Sequence, residues 1–79
     1  MAKTISVNVT LHGWLIKYFS YNSSRIMQLP QSSRVSDLVE LISMPSEAYI
    51  VKVNGKKVSK EKELAEADEV HFYPLVVGG

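Results

Sequence analysis

The chain has 79 residues, 46% hydrophobic and 22% charged, a composition that supports one small folded domain and excludes both a disordered tail and a second core. Nine Lys/Arg against eight Asp/Glu leave a net charge of +1, too balanced for a protein whose affinity rests on neutralising phosphates, so nucleic acid is not expected as a partner. Cysteine is absent, which removes disulfides, thiolate metal sites and a cysteine nucleophile, and two histidines, His12 and His71, are too few for a convincing metal site.

After Met1-Ala2-Lys3 the residues alternate at once, without the apolar core of a secretory signal, and a cytoplasmic protein with no membrane association is expected. From Thr4 to Leu11, Ile5, Val7, Val9 and Leu11 fall on one side and polar residues on the other, which predicts a half-buried strand. Gly13 opens a bulky stretch through Trp14, Leu15, Ile16, Tyr18 and Phe19 to Tyr21-Asn22-Ser23-Ser24, read as a connection and turn. Arg25 to Leu29 is a short second strand ended by Pro30, with Met27 and Leu29 inward.

Pro30-Gln31-Ser32-Ser33 is a loop that supplies helix N-cap candidates, and Val35, Leu38, Val39 and Ile42 follow at i, i+3, i+4 and i+7. That spacing predicts one amphipathic helix of about three turns, with Asp37 and Glu40 near its positive end and Pro45 preventing its continuation. Tyr49 to Val53 alternates again, Asn54-Gly55 is a strong hairpin signal, and Lys56 to Val58 is the return strand. A charged segment from Ser59 to Asp68 is pinned by Leu64, and Val70 and Phe72 alternate with His71 and Tyr73 in a last strand running into Pro74. The order strand, strand, helix, strand, strand, strand predicts a two-layer α+β domain, one mixed sheet packed on one helix, with the last strand beside the first. Lys52, Lys56, Lys57, Lys60 and Lys62 are closely interleaved with Glu61, Glu63, Glu66, Asp68 and Glu69, which reads as a solvated mixed face rather than a basic patch.

The motifs of nucleotide loops, zinc proteases and serine hydrolases are all missing, so a self-contained enzyme is not expected. His12 and His71 each lack an acidic or nucleophilic neighbour in sequence and read as ordinary strand histidines. The unusual feature is the end, Leu75-Val76-Val77-Gly78-Gly79. Either it is inert, as chain ends commonly are, or it is a reactive arm. Glycine has no Cβ, so a Gly-Gly tail can thread a narrow active site and present the α-carboxylate of Gly79 to a nucleotide phosphate. Transfer to AMP would give a mixed anhydride open to a sulfur or nitrogen nucleophile, with no side chain of this protein required.

Val51-Lys52-Val53-Asn54-Gly55 followed by Val58, then Leu64 to Asp68-Glu69-Val70, then Phe72-Tyr73-Pro74-Leu75-Val76-Val77-Gly78-Gly79 give the whole chain a resemblance to the ubiquitin-like sulfur carriers of the MoaD/ThiS family. Leu29-Pro30 before Val35-Ser36-Asp37-Leu38 looks like that family's second strand entering its helix, and the ending looks most like molybdopterin synthase small subunits. Two departures stand out: Arg34 where a hydroxyl N-cap is common, and Glu66-Ala67-Asp68 in place of an Asp-Gly-Asp turn, where alanine would adopt a positive φ at a cost.

The resemblance implies a ubiquitin-like β-grasp domain over residues 1–75 and a flexible reactive tail over 76–79. It implies no bound cofactor, with ATP and magnesium used by a ubiquitin-activating-type adenylating enzyme that acts on Gly79, Gly78 serving as part of the arm. A sulfur donor such as a cysteine desulfurase or rhodanese would convert the adenylate to a thiocarboxylate, for delivery to a pterin precursor on a molybdopterin synthase large subunit. Partner contacts would involve Tyr73, Leu75, Val76 and Val77, with Val70 and Phe72 in the core. The alternatives are a carrier for thiamine, another thio-metabolite or tRNA thiolation, and a ubiquitin-like protein modifier.

Overall fold

Alternation in the first eight-residue strand decides which side of the sheet is dry. In the computed structural model, which describes residues 3–20, 22–45 and 49–75, the strands are β1 (Thr4–Leu11), β2 (Ser24–Pro30), β3 (Tyr49–Val53), β4 (Lys56–Val58) and β5 (Glu69–Pro74), with one helix, α1 (Val35–Ile42). They form a single sheet in the order β2-β1-β5-β3-β4; β1 and β5 pair in parallel at its centre and the other pairs are antiparallel. This is the predicted two-layer α+β arrangement, with the last strand beside the first.

The helix buries Val35, Leu38, Val39 and Ile42 against Val7, Val9, Leu11, Val51, Val53, Val70 and Phe72 in one apolar cluster. Each such side chain contributes about 1.5–3 kcal/mol when fully buried. Leu29 is buried and Met27 packs partly against the same cluster, as β2's alternation predicts.

The first turn of α1 is capped differently from the expectation of a hydroxyl. Ser33 is buried and its hydroxyl donates to the Pro30 carbonyl at 2.6 Å, and Ser32 lies in the left-handed region at φ 71°. Arg34 occupies the N-cap position, and its own N–H donates to Asp37 Oδ2 at 2.8 Å. The next free donors, on Val35 and Ser36, reach the carbonyls of Lys62 and Lys60 at 3.0 and 2.9 Å, while Leu64 N–H donates back to Ser33 O at 2.8 Å. Backbone from the charged segment therefore takes the place of a capping hydroxyl, and buried Leu64 pins that segment in place.

At its other end the helix stops before Pro45. Ser43 turns left-handed at φ 66°, and the N–H groups of Ser43 and Met44 donate to the carbonyls of Glu40 and Val39. The Tyr49 hydroxyl then donates to the Pro45 carbonyl at 2.6 Å, tying the helix exit to β3; burial, with Tyr18 nearby as a lesser cause, raises its pKa.

A second correction concerns residues 13–19, expected as an irregular connection. They form a 3₁₀ segment that buries Leu15 and Phe19, begins at Gly13 with φ 59° and ends at Ser20 with φ 53°. Apolar residues at nearly every position hide the two that point inward.

Asn54 and Gly55 both have positive φ, 52° and 85°, matching the twist of a two-residue hairpin. Asn54 also bridges outward: its Nδ2 donates to Asp68 Oδ1 and its Oδ1 accepts from Glu69 N–H, each at 2.9 Å. The turn at 66–68 docks on β1 through Ala67 N–H to Ser6 O at 2.7 Å and Asn8 N–H to Asp68 O at 2.9 Å. Ala67 sits at φ 68°, the strained geometry that its replacement of a glycine predicts.

Candidate functional site

β5 divides its residues between two faces. Val70 and Phe72 are fully buried, while His71 and Tyr73 are partly exposed on the opposite face and Leu75, just past the strand, is 48% exposed. Val76, Val77, Gly78 and Gly79 lie outside the described residues, so the described part of the site is the root of the tail.

Sheet register sets the outer face in rows. Thr10, His71, Lys52 and Lys57 lie side by side on β1, β5, β3 and β4. In the next row Ile50 faces Tyr73, and His12, just beyond the end of β1, stacks on the Tyr73 ring at 4.3 Å between centroids and 7° between planes. Lys52 Nζ sits 5.4 Å from the centre of the same ring, a cation over a π face.

His12 Nε2 and His71 Nδ1 are 2.9 Å apart, so one donates an N–H to the other's lone pair. Partial burial, with His71 as the second cause, lowers the pKa of His12. The two histidines, isolated in sequence, are thus joined in a stacked His12–Tyr73–His71 group.

The same corner holds the tail root mechanically. His12 N–H donates to Phe72 O at 3.1 Å, and Gly13 lies so close to Pro74 that a Cβ on it would stand 2.8 Å from the proline Cγ. A side chain there would have to displace the proline ring, and the φ of 59° adds a cost that glycine alone avoids. The β1 end and the 3₁₀ segment therefore fix where the chain leaves β5.

Of the residues singled out in the sequence, Tyr73 lies in this corner and Leu75 is exposed just past it. His12, Gly13, Lys52 and Lys57 are additions that sequence reasoning did not supply. The parity of β1 and β5 hints that His12 and His71 share a face, but the register that makes them touch across 59 positions is not written in either segment.

Two depressions lie elsewhere. One of about 560 Å³ runs beside the start of α1, lined by Pro30, Ser32, Asp37 and Leu41, and one of about 330 Å³ lies between the hairpin and the charged segment, lined by Lys56, Lys62, Glu63 and Asp68. In the second, lysines and carboxylates mix as the sequence predicts. Among the described residues no group of three or more His, Asp or Glu is placed to hold a metal, and no helix is long and apolar enough to cross a membrane.

The sequence pattern of the ThiS family matches residues 9–79, through the terminal glycines. The structure is similar to a protein assigned as molybdopterin converting factor subunit 1 from Pyrococcus furiosus, at 26% identity and a TM-score of 0.77, covering 91% of this chain and 99% of that one. It is also similar to small archaeal modifier protein 1 from Haloferax volcanii, at 14% identity and a TM-score of 0.78, covering 91% and 99% of the two chains. A ubiquitin from Caldiarchaeum subterraneum matches at 11% identity and a TM-score of 0.64, with coverage of 98% and 100%. The last two likenesses concern the fold, and they identify the mixed sheet on one main helix as a ubiquitin-like β-grasp. This chain belongs to the ThiS family, and its fold is the ubiquitin-like β-grasp.

Proposed function

We propose that the protein is a sulfur carrier for molybdopterin (molybdenum or tungsten cofactor) synthesis, whose cargo is held at the α-carboxylate of Gly79. The observation that carries this reading is a family match that continues through Gly78-Gly79, beyond the last strand. The similarity to a molybdopterin converting factor subunit, at 26% identity over nearly the whole of both chains, supports the choice of pathway.

In this reading an adenylating enzyme brings the Gly79 carboxylate to the α-phosphorus of magnesium-bound ATP. An acyl–O–P bond forms and pyrophosphate leaves. The outer sulfur of an enzyme persulfide, R–S–SH, carried by a cysteine desulfurase or rhodanese, then attacks the acyl carbon, and AMP leaves with the bonding electrons. A second thiol cleaves the acyl disulfide so formed, leaving as the disulfide R–S–S–R′ and releasing the thiocarboxylate. The resulting thiocarboxylate donates sulfur to a pterin precursor held by a synthase large subunit. Tyr73 and Leu75, with Val76 and Val77 following, are the contacts that dock the tail root on these enzymes. The described fold supplies a rigid base for such an arm, because Pro74 is held against Gly13.

A carrier for thiamine, another thio-metabolite or tRNA thiolation, or a protein modifier, would share the adenylation and differ in the nucleophile that follows. Fold likeness to a modifier and to a ubiquitin does not separate them. Intact-mass measurement on protein from its own cells does: replacement of one terminal oxygen by sulfur is expected, whereas lysine-linked adducts as the main product would overturn the carrier reading. Deletion of Gly79, or a residue added after it, should abolish adenylate formation without loss of folding. Adenylation of the extended chain would refute the proposed role of Gly79.

A further inference from the structure

The sheet ends in two outer strands, β2 and β4, and they are protected unequally. An unpaired edge offers a row of N–H and C=O groups to any strand that can align with it, and natural sheets blunt such edges by shortness, lysine, proline or a bulge. β4 has three residues, and Lys56 and Lys57 are two of them. β2 has seven, pairs with β1 in unbroken register from Ser24 to Pro30, and carries no lysine. Its charged residue, Arg25, is drawn toward the core side, with its guanidinium 4.8 Å from the centre of the buried Phe19 ring. Ile26, on the outer face, is 72% exposed, the most of any large apolar side chain among the described residues.

Register fixes which backbone groups of β2 are free. Leu11 N–H donates to Ser23 O and Gln31 N–H donates to Lys3 O, and both bonds continue the register in which Val7 faces Met27. Arg25, Met27 and Leu29 therefore turn their main chain toward β1, and Ser24, Ile26, Gln28 and Pro30 turn theirs away from it. Pro30 has no N–H, and its carbonyl accepts from both the hydroxyl and the N–H of Ser33, which closes that end of the edge. Ser24, Ile26 and Gln28 remain, evenly spaced about Ile26, each with one outward donor and one outward acceptor.

We infer that this edge pairs with the same edge of a second copy of the chain, antiparallel and two-fold symmetric about Ile26. Ile26 of each copy then exchanges N–H···O bonds with Ile26 of the other, and Ser24 exchanges them with Gln28, so every outward donor meets an acceptor. The two Ile26 side chains lie side by side and shield each other from water, and Arg25 lies opposite Met27 of the second copy, so no like charges face each other directly. Only the lysine-bearing β4 edges are left over, and assembly stops at a dimer. β5 runs in opposite directions in the two copies, and five strand spacings of about 4.8 Å put the two β5 strands about 24 Å apart across the joined sheet. The tail roots therefore leave from opposite ends, and neither covers the other. Nothing in this pairing depends on the sulfur-carrier reading.

A seam of one strand against one strand is small, and a dissociation constant on the order of 10 μM to 1 mM is expected. The test is sedimentation equilibrium of the purified full chain across that concentration range, with amide hydrogen exchange followed in parallel. The wild type should reach a dimer and go no further, and the Ile26 and Gln28 amides should exchange severalfold more slowly at the top of the range than at the bottom. Ile26→Lys sets two lysines opposite each other and should weaken self-association about tenfold or more, and Ile26→Glu should do the same. Mixed in equal amounts, these two variants should associate at least about fivefold more tightly than either does alone, because a Lys–Glu pair forms only where position 26 faces itself. Ile26 is exposed, so both variants should keep the wild-type melting temperature within about 2 °C, and lost association cannot be lost folding. A chain that stays monomeric throughout the range, its β2 edge left for a strand of another protein, would overturn the inference. So would a dimer that Ile26→Lys leaves intact, or a mixture that associates no better than its components.

Discussion

Phe72 and Tyr73 are adjacent on β5, yet one is wholly inside the domain and the other lies on its outer face. The inner side of the central strands is continuous hydrocarbon: Val7, Val9, Leu11, Val51, Val53, Val70 and Phe72. The outer side of the same strands carries Thr10, His12, Lys52, His71 and Tyr73, held by stacking, one histidine–histidine bond and a cation over a ring. One backbone thus carries two surfaces with different tolerances. Buried hydrocarbon answers to volume, and the outer face answers to charge and register.

The largest effect that tests this division is Phe72→Ala. Truncating a fully buried phenylalanine costs about 3–5 kcal/mol, enough to unfold much of a population whose total stability is on the order of 5–15 kcal/mol. Its neighbour should behave oppositely: Tyr73→Ala is expected to cost about 1 kcal/mol or less in denaturant titration while weakening enzyme binding severalfold. Equal stability losses at both positions would erase the distinction between the faces.

Gly13→Ala probes the corner where the two faces meet the tail root. A left-handed backbone and a contact at 2.8 Å with Pro74 should together cost about 2 kcal/mol and slow adenylation, since the proline must move. A variant that keeps full stability and full activity would show that Pro74 is not held by this contact.

Ala67→Gly acts far from the tail root, in the turn docked on β1. It removes the penalty of φ 68° and adds freedom to the unfolded chain, for an expected net gain of about 0.5–1 kcal/mol with adenylation unchanged.

The smallest effect is on pH. Because the fold lowers the pKa of His12 below its ordinary value of 6.5, the unfolded chain binds that proton more readily than the folded one. Stability from this source is present above pH 6.5 and is lost as pH falls through the folded pKa. Thermal unfolding of the wild type between about pH 8 and pH 5 should show that decline, and His12→Asn should make it shallower.

Much of the inner face is legible in the amino-acid pattern. Alternation in β1 and β5, the helical spacing of Val35, Leu38, Val39 and Ile42, and the Asn54-Gly55 hairpin are short-range patterns that each constrain a single element. The positive φ at Ala67 is legible too, through comparison with the turn expected there. The 3₁₀ segment is not, because Trp14, Leu15, Ile16, Tyr18 and Phe19 leave no period from which to pick Leu15 and Phe19 as the inward pair. Nor is the cap of α1, where carbonyls from residues 60 and 62 replace the hydroxyl that local sequence proposes.

From sequence alone came the element order, the buried side of the first, second and last strands and the glycine pair at the end, because periodicity and the missing Cβ are properties of neighbouring residues. Tertiary structure decided that His12 meets His71 and Tyr73, that Lys52 meets Lys57, and that Gly13 holds Pro74. Those contacts depend on strand register and on a parallel pairing between opposite ends of the chain. Such pairings are fixed by the packing of the whole core, and no single segment encodes them.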